Sequence, residues 1–147
     1  MERAKQAAGA KPLLELLPLR PRKCGLVTTG NEVFHRRIPD TFTPVIQAKL
    51  GEYGCEMAAH VVLDDNQEKI TAAIQQMLDR GCEMVLCTGG MSVDPDDRTP
   101  AAIRAARVEV VSYGAPVLPG AMFLMAYTGD GRPVCGLPGC VMYARRT

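Results

Sequence analysis

Three short stretches of the chain pair glycine with small polar neighbours: Thr28-Thr29-Gly30-Asn31-Glu32, Thr88-Gly89-Gly90-Met91-Ser92 and Gly136-Leu137-Pro138-Gly139. Glycine lets a backbone come close to a ligand and turn its N–H groups toward an anion. Thr28, Thr88 and Ser92 can add hydroxyl donors. A second group is acidic: Asp64 and Asp65, then Asp94, Asp96 and Asp97 within CTGGMSVDPDDRTP. Asp64 or Asp65 also suits a helix N-cap, and Asp94 before Pro95 suits a turn. Carboxylates beside an anion-binding loop make sense if a hard cation such as Mg2+ bridges them to phosphate. They could instead act as a base or orient water. Without the cation, the like charges would repel both the phosphate and each other. Each glycine loop alone also fits an ordinary tight turn from strand to helix. The three together favour a shared anion site. Neither a G-x-G-x-x-G nor a G-x-x-x-x-G-K-[ST] fingerprint occurs.

Such loops work only if the elements before them bring them together. From Cys24 onward, strand-like and helix-like patterns alternate. CGLVTTG reads as a buried parallel strand. Phe42, Val45, Ile46, Leu50 and Tyr53 form a helical stripe, capped by Asp40 or Thr41 and stopped by Gly54. EMAAHVVL is the next strand. A helix then starts from Asp64, Asp65 or Asn66, shows Ile70, Ala73, Ile74, Met77 and Leu78 on one face, and ends at Gly81. EMVLC is a third strand. Thr99 is expected to cap the following helix, with Pro100 at its first position. VEVVSYG is a fourth strand, and MFLMAYTGDGRPVCG reads as a hairpin.

This order predicts an α/β fold. It is a three-layer sandwich with a mostly parallel sheet, helices on both faces and a C-terminal antiparallel hairpin. In an open sheet of this kind, ligands sit beyond the carboxyl ends of the strands, near the switch in strand order. The first two glycine loops should therefore lie side by side. Both acidic sets should fall at the same sheet edge. His60, between Ala59 and Val61 in a strand, is expected to be structural. His35, Arg36 and Arg37 fall in a loop near the first glycine turn. There the arginines either help bind an anion or stay solvated.

The 147 residues suit one domain, with 47% hydrophobic and 22% charged residues. A net charge of +1 gives no field that points to nucleic acid or an anionic membrane. Three Phe, four Tyr and no Trp leave little for base stacking. No apolar run approaches a membrane span or signal peptide. The six cysteines include no C-x-x-C pair, so they read as reduced residues of a cytoplasmic protein. Residues 1–21 differ from the rest. Pro18 and Pro21 exclude a continuous helix there. This is an arm or linker, or the tail of an upstream domain. Leu13, Leu14, Leu16 and Leu17 would then face that domain or an oligomer partner.

GLVTTGNEV, LDDNQEKI, CTGGMSVDPDDRTP, PVLPG and GLPGCVMY occur in the order seen in the molybdopterin-binding domain family of molybdenum cofactor biosynthesis. Residues 22–143 resemble the gephyrin G and E domains and their bacterial counterparts. The resemblance implies an α/β domain that binds molybdopterin and its phosphate at the glycine loops. Gly89, Gly90, Ser92, Gly136, Pro138 and Gly139, with Thr88, would form the anion pocket. Thr28, Gly30 and Glu32 would line its other wall. Asp64 and Asp97 fall where the adenylylating branch carries functional aspartates, and they would hold Mg2+ or assist transfer. DRTP also resembles that branch, which uses ATP. TGNEV, GGMSV and PVLPG look like the branch that inserts molybdate and releases AMP. The resemblance also implies a dimer or trimer. It implies that residues 22–147 are a domain cut short at its C-terminus. A related domain occurs in competence-damage-inducible proteins. That leaves two alternatives: a non-catalytic module that senses or carries the cofactor within a larger protein, or a nucleotide pyrophosphatase-like domain.

Overall fold

The computed structural model describes residues 14–145, together with Arg3, Gln6 and Gly9. Strand β1 spans Lys23–Thr29, and every residue after Lys23 is buried. A run buried on both faces marks the centre of a parallel sheet. Its neighbours are β2 (Glu56–Leu63) and β3 (Met84–Thr88), both parallel to it. The remaining strands are β4 (Val108–Tyr113), β5 (Leu124–Thr128) and β6 (Pro133–Leu137). The sheet order is β2-β1-β3-β6-β5-β4.

The predicted hairpin forms, and its register pairs Met125 with Cys135. It does not lie at the margin of the sheet. β6 packs parallel to β3 in the middle, and only β5 runs against its neighbours. β6 carries four consecutive buried residues, Val134–Leu137, and that burial takes it into the interior.

Among the described residues from Lys23 onward, four helices and a 3-10 turn complete the layers. Helix α1 is a single turn, Asn31–Phe34, within what the sequence predicts as a loop. Four residues are too few to show a 3.6-residue period. Helices α2 (Phe42–Glu52) and α3 (Gln67–Asp79) follow the expected stripes, and α4 (Thr99–Ala105) forms where a helix is expected around Pro100. The 3-10 turn is Gly139–Met142.

On one face, α3 and α4 supply Ile70, Ile74, Met77, Ala102 and Ile103 against Val27, Val85 and Val134. On the other, α2 and the 3-10 turn supply Ile46, Leu50 and Val141 against Leu26, Leu86 and Leu137. Burial of a side chain such as Ile70 or Leu26 is worth about 1.5–3 kcal/mol. These two cores fix the sheet between its helices.

The caps resolve two open choices and overturn one expectation. Asp40 Oδ1 accepts the N–H groups of Phe42 and Thr43, at 2.9 and 3.0 Å, so Asp40 caps α2 rather than Thr41. Asn66 Oδ1 accepts the Lys69 N–H at 2.9 Å, so Asn66 caps α3 and frees Asp64 and Asp65 for other partners. Thr99 departs from expectation: it makes no side-chain cap bond to α4. Its buried Oγ1 lies 3.2 Å from Thr29 Oγ1 and ties α4 to β1 instead.

Residues 15–22 carry neither helix nor strand, and Leu14, Leu16, Leu17 and Leu19 are exposed. Leu13 lies outside the described residues. All six cysteines are free. Burial pushes the thiols of Cys24 and Cys135 up to about 12 and raises those of Cys82 and Cys87 as well. Among the described residues, no helix is long and apolar enough to cross a membrane.

Candidate functional site

The chain runs from β1 to β2 through α2 on one face and from β2 to β3 through α3 on the other. The strand order therefore reverses between β1 and β3. Because β2, β1, β3 and β6 are parallel, their carboxyl ends share one rim. A cavity of about 360 Å³ opens there, lined by Gly30, Asn31, Asp65, Gly90, Asp97 and Arg98, with Asp94 and Asp96 at its acidic side. Open α/β sheets bind ligands at such a reversal. Its walls come from the loops after β1, β2 and β3.

Two clasps hold those loops. The Asn31 N–H donates to Asp65 Oδ2 at 3.1 Å, and the Asp65 N–H lies 3.5 Å from Asn31 Oδ1. The Gly30 N–H donates to the Leu63 carbonyl at 3.2 Å. These contacts join the loops after β1 and β2. Gly89 then brings the loop after β3 against β1. It sits at φ +85°, and a Cβ there would lie 2.1 Å from the Thr29 carbonyl oxygen.

The loop after β3 already holds an anion. Asp97 Oδ2 accepts both the Ser92 N–H, at 2.6 Å, and the Ser92 hydroxyl, at 2.8 Å. Charge-assisted bonds of this length are the strong ones. The carboxylate takes the donors of a loop that the sequence assigns to a ligand anion, and the Asp97 backbone N–H closes the turn by donating to the Asp94 carbonyl at 3.1 Å. Asp64 is placed differently. Its Oδ2 pairs with Lys69 Nζ at 2.7 Å, while its buried Oδ1 has no hydrogen-bond partner. A buried carboxylate oxygen left bare carries a desolvation cost that a cation or donor would relieve. Among the described residues, no group of three or more His, Cys, Asp or Glu forms a metal cage.

The predicted residues divide into two sets. Gly30, Gly90 and Asp97 line the rim cavity, and Gly89 and Ser92 shape it. Thr28, Thr88, Glu32, Asp64, Gly136, Pro138 and Gly139 are not among its lining residues. Thr28 and Thr88 are register partners on β1 and β3, and both are buried. The Thr88 hydroxyl donates to Thr28 Oγ1 at 3.4 Å, and Thr28 Oγ1 lies 3.2 Å from His60 Nε2. His60 continues to Thr43 at 2.9 Å, and the Thr43 hydroxyl donates to Asp40. The two threonine hydroxyls are thus used inside the fold, and His60 joins a polar chain in its structural place. Strand alternation turns residues 28 and 88 toward α2 rather than the cavity.

Glu32 is exposed on α1, and its carbonyl accepts the Arg37 N–H at 2.8 Å. Gly136 lies within β6, where its missing side chain makes room for Met91: a Cβ would sit 2.5 Å from Met91 Cε. Pro138 leads into the 3-10 turn, and Gly139 faces open space at that turn's start. Sequence reading left Asn31 and Arg98 without a role. Their signals are weak, because an Asn after Gly and an Arg before Thr-Pro each fit ordinary turns.

Comparison with known proteins agrees with this fold. The family model of the probable molybdopterin binding domain matches residues 25–147. A molybdopterin molybdenumtransferase of Synechococcus elongatus is 28% identical over 126 residues, covering 80% of this chain and 30% of the relative. A CinA-like protein of Mycobacterium avium is 32% identical over 77 residues, covering 52% of this chain and 18% of the relative. The chain thus spans less than a third of either curated relative. Among solved structures, the molybdopterin biosynthesis enzyme MoaB of Thermus thermophilus superposes with a TM-score of 0.70 at 25% identity, covering 80% of this chain and 81% of that one. The tungsten cofactor synthesizing protein MoaB of Pyrococcus furiosus shares the fold, with a TM-score of 0.68 at 21% identity over 83% and 84% of the two chains.

Proposed function

The chain belongs to the molybdopterin-binding domain family, and from that premise we propose that its rim cavity takes the phosphate of molybdopterin during molybdenum cofactor assembly. One observation carries the reading: the Ser92 N–H and hydroxyl already grip the Asp97 carboxylate at the strand-order reversal. A turn that binds one anion this tightly has the donors for another. An incoming phosphate and Asp97 would compete for those donors. The ligand would then set where the Asp97 side chain points.

The charge balance calls for a cation. Asp65, Asp94, Asp96 and Asp97 face the cavity against Arg98. A phosphate there gains if Mg2+ sits between it and the carboxylates. Mg2+ commonly uses one or two carboxylates and completes its shell with phosphate and water. Asp97, which lines the cavity, would be one ligand, and the bare Oδ1 of Asp64, which is not among the lining residues, would join it only if the loop after β2 turned it toward the cavity. When bound, the ion would neutralise charge on the phosphate. The chain's own residues hold the loop, orient the ligand and keep the acidic wall in place.

On this reading the Mg2+-dependent step is adenylylation, with ATP as the second substrate. Molybdate insertion with release of AMP is the other step within the family reading. The expected assembly is a dimer or trimer in the cytoplasm. The test is equilibrium binding of molybdopterin, ATP and adenylylated molybdopterin to the purified chain, with and without Mg2+. Saturable molybdopterin binding that Asp97→Asn alters supports the reading, and no binding of any of the three sinks it. Turnover of ATP with molybdopterin separates an enzyme from a cofactor-carrying module. The similarity to the CinA-like protein favours a second reading, a nucleotide pyrophosphatase-like domain. Mg2+-dependent hydrolysis of a dinucleotide by this chain would decide for it.

A further inference from the structure

A second cleft, of about 620 Å³, lies beside the rim, over the turn that leaves α1. Arg36 and Arg37 line it together with Val33, Phe34, Ile38 and Val62. Its volume is in the range of small-ligand pockets. Arg36 has φ +57°, a left-handed conformation that glycine adopts freely and arginine rarely. The Arg36 N–H donates to the Val33 carbonyl at 3.0 Å, and the Arg37 N–H to the Glu32 carbonyl at 2.8 Å. The turn therefore sets two consecutive guanidiniums against one apolar wall. A strained non-glycine residue whose side chain lines a cleft is grounds for asking what the side chain does.

The charge there is not spent. Among the described residues, neither arginine forms an ion pair. Asp40 also borders the cleft, but its oxygens are engaged by Phe42, Thr43 and the nearby His60. Phe34 leaves 41% of its surface exposed, with its ring edge-on to His35 at 5.2 Å. Lys69, which pairs with Asp64, also sits 5.9 Å over the Phe34 ring.

We propose that this cleft is a second anion subsite, which binds the phosphate of a flat heterocyclic monophosphate through Arg36 and Arg37 and its ring against Phe34. Arginine forks match phosphate oxygens in pairs, and aromatic faces take flat rings. The subsite goes beyond the molybdopterin reading. It stands on the cleft alone, whatever the rim binds.

The probes are AMP, adenosine and inorganic phosphate, titrated into the 15N-labelled chain and followed by amide shifts. Arg36→Gly is the decisive variant, because glycine accepts φ +57° without strain and the fold should keep or gain thermal stability. Wild type is expected to bind AMP saturably, with shifts at Phe34 and Ile38 and weaker binding in higher salt. Arg36→Gly and Arg37→Gln should each weaken AMP by about tenfold, since a charge-assisted contact to phosphate is lost. Phe34→Ala should weaken AMP and leave inorganic phosphate unchanged. The proposal is overturned if wild type shows no saturable AMP binding at millimolar concentrations. It also fails if the shifts map to Gly30 and Gly90, or if a folded Arg36→Gly or Arg37→Gln binds AMP as wild type does. Molybdopterin is titrated in parallel, so failure at the rim and failure at this cleft are read separately.

Discussion

Gly89 lies so close to Thr29 that a Cβ on Gly89 would stand 2.1 Å from the Thr29 carbonyl oxygen. The contact draws the loop after β3 onto the end of β1 and sets the width of the rim cavity. Gly89→Ala meets backbone rather than a movable side chain, and it must also adopt φ +85°. Strain of this type costs about 1–3 kcal/mol before the clash is counted. In a chain of this size, the melting temperature should fall by roughly 5–10 °C, from about 2–4 °C per kcal/mol. Gly139→Ala is the control, because nothing lies within 4 Å of its Cβ position. It should melt within about 2 °C of wild type, as a change with no steric cause costs little. Circular dichroism melts of the two variants check the pair.

Asp97 and Ser92 should behave as one unit in shaping the loop. Asp97→Asn keeps the shape but loses the charge that both Ser92 donors grip. Ser92→Ala removes one of those donors. If Asp97 only holds the loop, both variants should lower molybdopterin affinity to a similar degree, about tenfold or more for one hydrogen bond to a charged group. If Asp97 also holds Mg2+, Asp97→Asn alone should abolish the effect of Mg2+ on binding. Titrations with and without Mg2+ for each variant distinguish the two.

Gly136 and Met91 should show coupling. A Cβ on Gly136 would meet Met91 Cε at 2.5 Å and Sδ at 2.7 Å, and Met91 is 4% exposed. Overpacking a core this way costs about 1–3 kcal/mol. Met91→Ala clears the space, so Gly136→Ala should cost at least about 1 kcal/mol less in that background, in the range of coupling between touching residues. Urea unfolding of the four proteins of the cycle measures this. Additive effects would remove Met91 as the reason for the glycine.

Stability should fall at alkaline pH. Burial raises the Cys24 and Cys135 thiols to about 12, so the folded state keeps their protons longer than the unfolded chain does. Unfolded thiols ionise near pH 8.5–9. Below that both states are neutral and stability is flat. Above it the unfolded state binds fewer protons, so stability declines until the folded thiols ionise as well. Denaturant midpoints from pH 7 to 10.5 should drop above about pH 9, an effect that Cys24→Ser with Cys135→Ser reduces. Cys55 and Cys140, which are only partly buried, should alkylate ahead of Cys24, Cys87 and Cys135 in the native protein.

Sequence alone determined the fold class here, because burial periodicity is local. The six consecutive buried residues of β1, the stripe Ile70-Ile74-Met77-Leu78 and the Gly54 and Gly81 stops are all visible along the chain. Parallel strands then force their loops to one rim, so the meeting of Gly30, Gly90 and Asp97 followed from order alone. What only the tertiary structure decided is which groups spend their hydrogen bonds inside the protein. Thr28 and Thr88 point into a polar chain with His60, Thr99 bonds Thr29 instead of capping α4, and Gly136 exists for Met91. The hydrogen-bonded partners in these contacts lie between 32 and 70 residues apart in the chain. A glycine, a hydroxyl or a carboxylate has the same chemistry whether it meets a ligand or its own fold. Its role depends on whatever stands a few ångströms away, and distance in space is set by packing rather than by order along the chain.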